Sequence, residues 1–456
     1  MSHQALTDAL RALGGDPRAA GQIVVRRTGP ILGSRLPAGE LAVACVSAAL
    51  LAARELAVAR GSPAPEVTLD ADHVAAAFTS ERHLRLDGHA VGPGFAPLST
   101  WLATEDGWLR SHANYPHHRA ALLAALGTDD EEVEAARAAA ARRRAEELEE
   151  AIFAAGGCAG ALRERSAWEA LPAGAAAAGR ELIELEEGLA GAAPLPPLRA
   201  GDLPAAGVRV LDLTRVIAGP VAGRTLAALG ADVLRIDAPG AVELEGSVLD
   251  GGPGKRWARV DLRTAAGLRT FHELLGEADV LIAGYRPGAL QALGLGARAL
   301  ARRYPNLVMV TLSAWGERGP WGERRGFDSL VQAATGIAQI CTAAGAATPG
   351  ALPAQALDHG TGHLIAAAAL RGLRARTVRG RPVHAHCALA RTAAWLLDLP
   401  RTGADGIGAT PDAAPFLIEL PYGSRTVTVI APPGELDGRP LRWDRAIVPI
   451  DRASWR

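Results

Sequence analysis

A single aspartate stands before an alanine-rich run in the stretch QALDHGTGHLIAAAALRGL, residues 355–373. The pattern predicts a helix that begins near Asp358. An aspartate at this place most often caps the helix, because its carboxylate accepts hydrogen bonds from the first N–H groups. The alternative interpretation is chemical. Gly360 and Gly362 leave the carboxylate uncrowded, so Asp358 could act as a covalent nucleophile while N–H groups near Gly360 stabilise an oxyanion.

The histidines offer spacings at which metal ligands occur, but no complete ligand set. His359 and His363 lie at the i and i+4 spacing that can hold a metal ion on one helix face, and the sequence near them supplies no third ligand. His384 and His386 would share one face of a strand. The stretch YPHHR at residues 115–119 is typical of a helix start. We therefore expect ordinary packing for these side chains and no metal site.

Alternating strands and helices must position Asp358. Residues 207–313 alternate short apolar runs with helical segments, which predicts a doubly wound parallel sheet of the α/β class. The predicted strands are residues 208–214, 232–237, 279–285 and 306–314. The turn after the first strand is GPVAG at residues 219–223, which departs from the G-x-G-x-x-G spacing of dinucleotide sites. Nicotinamide binding is therefore the weaker hypothesis, although Asp237 stands where such sites carry an acid.

Composition and charge argue against several classes of partner. The 456 residues carry a net charge of −1, so there is no electrostatic case for binding nucleic acid or a membrane surface. Arg54 and Glu55 interrupt the longest apolar stretch, residues 41–59, which argues against a membrane span. The four cysteines lie far apart and the first residues do not resemble a signal peptide. We therefore expect free thiols and a cytoplasmic protein.

Two features indicate how the chain is divided. Residues 192–206 are rich in proline and predict a linker at a domain boundary. Residues 40–61 align with residues 359–380, since both are apolar helical stretches that end in Arg-Gly and precede a strand-like run. Chance similarity and internal duplication are both open explanations. If the duplication is real, Gly39 stands opposite Asp358 and the first copy lacks the carboxylate.

Six sequence blocks occur in order between residues 207 and about 398. They are GVRVLDLTRVIAGPVAGRTLAALGADVLRID, GKRWARVDLRTAAG, ADVLIAGYRPGALQALGLG, YPNLVMVTLSAWGERGPW, GFDSLVQAATG and ALDHGTGHLIAAAALRGL. Together they resemble the family III CoA-transferases, the group of formyl-CoA and carnitine CoA-transferases that includes α-methylacyl-CoA racemase. Residues 99–127 resemble, more weakly, the start of the family's small domain, and residues 423–443 resemble its closing segment. The small domain follows the large one in the family, so this chain looks permuted or partly duplicated.

The resemblance implies a Rossmann-like large domain with a smaller α+β domain. The expected division is a partial repeat of the large-domain helix–strand–helix (1–98), a small-domain-like segment (99–191), the linker (192–206), the large domain with the nucleophile (207–400) and a closing segment (401–456). The reordered segments put the family's interlocked dimer in doubt. A homodimer is still a possible assembly.

The resemblance also implies a reaction. The Asp358 carboxylate attacks an acyl-CoA thioester, and CoA passes through an aspartyl anhydride and an aspartyl-CoA thioester to a second carboxylic acid. Coenzyme A and acyl-CoA are then substrates, with no permanently bound cofactor and no metal. The implied CoA-binding residues are Val216, Val260, Asp261, Leu262, Arg263, Gly284, Tyr285, Arg286, Arg325, Gly326, Phe327 and Asp328.

The sequence departs from the family pattern at two places. Gly284 and Tyr285 replace a frequent Asn-Phe pair, and Ala238 stands where an arginine often follows the second strand. We therefore expect affinity for the CoA phosphates to come from Arg256, Arg263 or Arg286.

Two alternatives to transfer stay open. An acyl-CoA racemase needs a base on each face of the α-carbon, and the family's racemases carry a histidine where this chain has Phe327. A catalytically inactive CoA-binding subunit is the alternative from another class. The presence of Asp358 just before Gly360 and Gly362 argues against it.

Overall fold

The computed structural model describes residues 3–26, 29–92, 94–129, 131–401 and 411–455. Before residue 200 the helices are α1 His3–Ala12, α2 Ala38–Ala59, α3 Ala71–Ala77, α4 Ser80–His83, α5 Pro116–Leu126, α6 Val133–Ala140, α7 Ala145–Ala154, α8 Arg165–Ala170 and α9 Pro172–Ala178. After it they are α10 Ala218–Ala228, α11 Glu245–Gly251, α12 Ala265–Glu277, α13 Ala297–Arg303, α14 Asp328–Ala334, α15 Ile337–Cys341, α16 Ala356–Arg379 and α17 Leu389–Asp398.

The strands of the described residues fall into four sheets. Before residue 200 they are β1 Ile23–Arg26, β2 Val67–Asp70, β3 Arg85–Leu86, β4 His89–Ala90, β5 Trp101–Ala103, β6 Trp108–Ser111, β7 Ala159–Ala161 and β8 Ile183–Glu187. After it they are β9 Arg209–Leu213, β10 Asp232–Asp237, β11 Arg256–Arg259, β12 Val280–Ala283, β13 Val308–Ser313, β14 Val383–Ala388, β15 Leu417–Tyr422, β16 Arg425–Ile430, β17 Glu435–Leu436, β18 Arg439–Pro440 and β19 Val448–Pro449.

The largest sheet has eight strands in the order β19-β11-β10-β9-β12-β13-β14-β8. All neighbours are parallel except β14 and β8, which are antiparallel. The strand order reverses between β9 and β12, the two strands that flank the switch point of the sheet. Short apolar runs buried on both faces, such as VLIA in β12, form these strands. The predicted α/β class with a large parallel sheet is confirmed, and the four predicted strands correspond to β9, β10, β12 and β13.

Three strands of this sheet were not predicted. β19 has only two residues, and β11 is the charged run RWAR. β8 has the sequence IELEE and is mostly exposed at the edge of the sheet. None of them shows the apolar run of a central strand, so pairing with a neighbour decides their conformation.

Helix α16 lies at the centre of the largest core and is buried on nearly all sides. Gly360 faces α2, because a Cβ there would lie 2.8 Å from Leu41 Cδ2. Gly362 faces α10, where a Cβ would lie 2.5 Å from the Ala218 carbonyl oxygen. The glycines that suggested an uncrowded carboxylate therefore allow two helices to pack closely against α16.

Helix α2 is the one helix of the described residues that is long and apolar enough to cross a membrane. In this structure 83% of that apolar window is buried inside the protein, where α2 packs against α16.

The two stretches that suggested a duplication have the same order of elements. Helix α2 is followed by β2 and α3, and α16 is followed by β14 and α17. At Gly39, the position aligned with Asp358, a Cβ would lie 2.4 Å from the Ile31 carbonyl oxygen. The first copy therefore has no room for any side chain at this place.

The remaining sheets are small. Strands β5, β6 and β7 pair in order and pack with α5, α6 and α7 around a separate core. The segment that ends the described chain folds with its beginning, since β16 pairs with β3 and β17 pairs with β2. Residues 402–410 of the predicted closing segment lie outside the described residues.

The proline-rich segment 192–206 contains no helix or strand but is anchored along its length. The Arg60 guanidinium donates to the carbonyl oxygens of Pro196, Pro204 and Ala206. The N–H of Ala192 donates to the Gly380 carbonyl. The predicted linker is therefore a packed connection, and the domain boundary there stays a prediction.

Candidate active site

A cavity of about 420 Å³ opens at the carboxyl ends of the parallel strands. Its wall includes the last residues of β9 and β13, Leu213 and Ser313, and the residues that follow β12 and β14, Gly284 and Leu389. Open α/β sheets bind their ligands at this edge, next to the switch point of the strand order.

Asp358 provides the one carboxylate among the residues that line this cavity in the described chain. It is only 7% exposed. Helix α16 begins at Ala356, so Asp358 is its third residue rather than its cap. Gln355 holds the cap position and makes no capping hydrogen bond through its side chain. The interpretation of Asp358 as the N-cap is therefore wrong.

The carboxylate that accepts hydrogen bonds from the first N–H groups of α16 belongs to another helix. Asp328 Oδ2 accepts a hydrogen bond from the Asp358 N–H at 2.9 Å, and the Leu357 N–H also bonds to this carboxylate. Asp328 is fully buried at the start of α14 and also accepts from the Gln332 amide. It lies beneath Asp358 and does not line the cavity, so its predicted contact with CoA is not supported.

The predicted role of Gly360 also needs correction. The His359 N–H already donates to the Gln355 carbonyl at 3.0 Å. Gly360 follows it inside the regular helix, where each N–H bonds to the carbonyl four residues back. Because the helix begins two residues earlier than expected, the N–H of Gly360 is not free to bind an oxyanion.

The two carboxyl groups of Asp328 and Asp358 share a low-dielectric environment. Burial raises the pKa of Asp358 well above its usual value, and the nearby charges of Asp328 and Glu81 raise it further. Burial also raises the pKa of Asp328, but the bonds from Gln332 and two backbone N–H groups oppose the rise. We conclude that Asp328 ionises first and that Asp358 holds its proton to a higher pH.

Four arginines stand around the cavity: Arg215, Arg286, Arg324 and Arg325. Arg215 Nε donates to Glu243 at 3.1 Å, and Arg324 Nη2 bonds Glu150 at 2.6 Å. Arg325 Nη1 donates to the Gly156 carbonyl at 2.5 Å. Burial lowers the pKa of Arg325, with the charge of nearby Arg286 as the next cause. The Arg325 and Arg286 guanidinium groups repel each other. An anionic ligand such as a phosphate or carboxylate would offset this repulsion.

One wall of the cavity comes from a segment that sequence analysis did not connect to it. Tyr115, His117 and His118 line the cavity at the start of α5. In the chain, this segment comes well before the strands whose ends form the rest of the wall. The sequence predicts a helix start at residues 115–119 but carries no signal that it would line the same cavity as Asp358. More than 230 residues separate the two in the chain.

Most of the other predicted residues are brought together here. Val216, Gly284, Tyr285, Arg286, Arg325, Gly326 and Phe327 all line the same cavity as Asp358. Val216 has a φ of 72°, a conformation that a β-branched residue rarely adopts. Its N–H lies 3.4 Å from Glu243 Oε2. Backbone strain of this kind is concentrated at functional sites.

The block from Val260 to Arg263 lies apart from the cavity wall. Val260 and Leu262 are buried in a second apolar core. Asp261 accepts from the Arg263 guanidinium at 2.9 Å, and the Arg263 side chain is 75% exposed. Arg256 is also committed elsewhere, since it bonds Asp232 at 2.8 Å. The structure therefore leaves Arg286 as the one cavity-lining residue of the three predicted phosphate ligands.

Lys255, the single lysine of the chain, joins β9 to α10 through its ammonium group. Its Nζ donates to Asp212 Oδ2 at 2.7 Å and to the Pro220 carbonyl at 2.9 Å, and both charged residues are fully buried. Burial lowers the pKa of Lys255 to about 8, against the charge of Asp212. Asp212 in turn accepts from the N–H of Thr214, which lines the cavity.

Known proteins match the part of the chain that contains strands β9 to β14. The sequence profile of CoA-transferase family III matches residues 205–413. A probable fatty acyl-CoA transferase of Mycobacterium tuberculosis, Rv3272, is 39% identical over 191 residues, which cover 39% of this chain and 48% of that protein. The succinyl-CoA–L-malate CoA-transferase beta subunit of Chloroflexus aurantiacus is 33% identical over 201 residues, 41% of this chain and 49% of that protein.

The chain thus spans about half the length of these curated relatives. A crystal structure of Rv3272 from Mycobacterium tuberculosis aligns with 35% identity over 42% of this chain and 55% of that chain, at a TM-score of 0.40. The matched sequence region contains Asp358 and every other residue that was predicted to bind CoA. Residues 205–413 of this chain are therefore similar to CoA-transferase family III.

Proposed function

We propose that the protein transfers CoA from an acyl-CoA thioester to a free carboxylic acid, with Asp358 as the nucleophile. One observation carries this proposal. Asp358 presents a single carboxylate to a cavity that arginines surround, at the edge where parallel sheets bind ligands. We interpret the sheet as Rossmann-like, since β9 to β14 follow the strand order of doubly wound nucleotide-binding folds.

The proposed reaction consists of four substitutions. The Asp358 carboxylate attacks the thioester carbonyl and expels CoA thiolate, which leaves an aspartyl–acyl anhydride. The thiolate then attacks the aspartyl carbonyl carbon, forms an aspartyl-CoA thioester and releases the first acid as its carboxylate. A second carboxylate attacks this thioester to give a new anhydride and thiolate. The thiolate finally attacks the new acyl carbonyl, which regenerates Asp358.

Oxyanion stabilisation is assigned to the start of α10 instead of Gly360. The first N–H groups of a helix have no partner within it. Ala218 begins α10 and lines the cavity, and the close approach at Gly362 sets this helix end against α16. Its N–H groups are the backbone donors we propose for the tetrahedral intermediates.

Arg286 and Arg325 are the proposed anion-binding side chains. Their charges suit the phosphates of CoA and the carboxylate of an acid substrate. We further propose that CoA is bound only as a substrate, and that the protein acts in the cytoplasm and assembles as a homodimer.

A CoA-exchange assay tests the proposal. The full chain is incubated with acyl-CoA thioesters and free acids, and new thioesters are identified by mass spectrometry. We expect exchange with the native chain and none with Asp358→Ala, because the nucleophile is lost. Hydroxylamine present during turnover should modify Asp358. Asp444→Ala, at an aspartate whose side chain is 73% exposed and does not line the cavity, is the control and should retain exchange. Full exchange by Asp358→Ala would contradict the covalent mechanism.

The same samples distinguish CoA transfer from the two alternatives, a racemase and an inactive CoA-binding subunit. A racemase would exchange the α-proton of a 2-methylacyl-CoA with D₂O, and His117 on the cavity wall is a side chain that could take part. Since burial is the main cause that lowers the pKa of His118 to about 3, this second imidazole is a weak base. We expect no deuterium incorporation. An inactive binding subunit would bind CoA but give neither reaction.

A further inference from the structure

Three buried side chains of metal-binding type meet beside the cavity. His112 follows β6, His118 lies in the first turns of α5, and Cys158 precedes β7. One ring nitrogen of each histidine and the Cys158 Sγ all lie within 4.8 Å of one another. Imidazole nitrogen and thiolate sulfur are ligands that zinc prefers. The three residues thus lie in or next to β6, α5 and β7, and each has a side chain of a type that binds zinc.

The polar atoms of this cluster are poorly satisfied without an ion. Among the described residues, Nδ1 of His112 and Nε2 of His118 are buried and have no hydrogen-bond partner, which is unfavourable in a protein interior. The Cys158 Sγ lies 3.7 Å from His118 Nδ1. This separation matches sulfur and nitrogen ligands on one zinc ion, at bond lengths of about 2.3 and 2.0–2.1 Å.

A reactive thiolate–imidazolium pair explains the cluster less well. Burial raises the pKa of the Cys158 thiol to about 12 and lowers the pKa of both His112 and His118 to about 3. The thiol is therefore protonated and the imidazoles are neutral, the reverse of an activated pair. Neutral imidazole is the form that binds a metal ion.

We propose that His112, His118 and Cys158 bind one zinc-type divalent cation. Binding would replace the S–H bond of Cys158 with a sulfur–metal bond and release the proton to solvent. The thiolate then offsets part of the ionic charge. The nearby Arg325 guanidinium stabilises this thiolate, although it also repels the cation. His117, whose ring centroid lies 4.1 Å from that of His118, or a water from the cavity can complete four ligands.

The ion would fix one wall of the cavity. The His112 ring stacks on Phe327 with centroids 3.6 Å apart, and His118 itself lines the cavity. A bound ion would therefore join β6, α5 and β7 to each other and hold them against the Phe327 loop. This role is independent of whether the protein transfers CoA.

Metal titration of the purified full chain tests the site. After removal of metal with a chelator, Co²⁺ is added as the probe, because a thiolate ligand gives a sulfur-to-cobalt charge-transfer band. We expect about one Co²⁺ per chain, displacement by Zn²⁺ and a rise in the thermal unfolding midpoint with Zn²⁺. Absence of the charge-transfer band from the native chain would overturn the proposal.

Variants assign the ligands. Cys158→Ser should lose the charge-transfer band, and His118→Gln should weaken Co²⁺ binding by at least about 100-fold, since loss of a supporting partner alone costs about 10–100-fold. Cys341→Ser is the matched control, because Cys341 is a partly buried thiol whose neighbour is Ser34. It should keep both the band and the affinity. If Cys158→Ser does not fold, His118→Gln still decides, since unchanged affinity there excludes this site.

Discussion

At the scale of single residues, two neighbouring aspartates at the cavity have different roles. Asp358 faces the cavity, whereas Asp328 lies beneath it and accepts hydrogen bonds from the first N–H groups of α16. The buried charge of Asp328 raises the pKa of Asp358. Asp358, the proposed nucleophile, is therefore positioned by a residue that also makes the ionisation of Asp358 more costly.

Asp328→Asn should shift the pH dependence of CoA transfer. The asparagine oxygen can still accept from the Asp358 N–H, but the negative charge is gone, so the pKa of Asp358 falls. Since the ionised carboxylate is the active form, the acid limb of kcat/KM should move to lower pH. Asp444→Asn, at an exposed aspartate that does not line the cavity, should leave the limb in place. An unmoved limb in a folded Asp328→Asn variant would show that Asp328 acts only as a cap.

Arg286→Ala should weaken CoA binding by about ten-fold or more, because a hydrogen bond to a charged group contributes about 1.5–3 kcal/mol. The Arg263 guanidinium is exposed and paired with Asp261, so Arg263→Ala is now expected to have the smaller effect. Calorimetric titration with CoA measures both. Equal losses in the two variants would mean that the nucleotide end of CoA extends across the Val260–Arg263 block.

At the scale of elements, three helices determine where Asp358 lies. Helix α16 is held between α2 and α10, and glycines at the crossing points let the backbones approach. Gly362 is the tighter contact, because a Cβ there meets backbone of α10 as well as Val221. The same contact brings the start of α10 to the cavity.

Gly362→Ala should lower stability by about 1–3 kcal/mol or more, the range for overpacking a core, and should impair transfer by moving α10. Gly276 on α12 is the matched control, since it is also helical but a Cβ there meets nothing within 4 Å. Gly276→Ala should be neutral or stabilising by about 0.4–1 kcal/mol. Thermal unfolding compares the two. An equally stable Gly362→Ala variant would contradict the packing described for α10.

At the scale of the whole molecule, the beginning of the chain covers the large core. Helix α2 packs along α16. The strands that follow it, β2 and β3, pair with β17 and β16 near the other end of the described chain. An apolar helix that could suit a membrane by composition is thus an interior element of this fold.

Leu41→Arg should abolish soluble expression or greatly lower the unfolding temperature, because it buries an unpaired charge against α16. Val58 lies on the same helix but is 47% exposed, so Val58→Arg should behave like the native chain. Soluble yield and thermal unfolding measure the difference. Tolerance of Leu41→Arg would mean that α2 is not packed in this way.

The amino-acid sequence by itself determined the alternation of strands and helices in residues 207–313 and the parallel sheet. It also singled out Asp358. These features depend on local periodicity and on residues close together in the chain, so they can be predicted from a sequence. The edge strands β8 and β19 could not, since they are short or polar and form only by pairing with distant neighbours.

Only the tertiary structure decided how the cavity is assembled. It placed Asp328 against the start of α16, made Gly360 an interior residue of that helix, and brought Tyr115 and His118 to the wall of the cavity that Asp358 also lines. These contacts join residues tens to hundreds of positions apart. Long-range packing sets them, and no local pattern of residue types encodes which distant side chain will fill a given space.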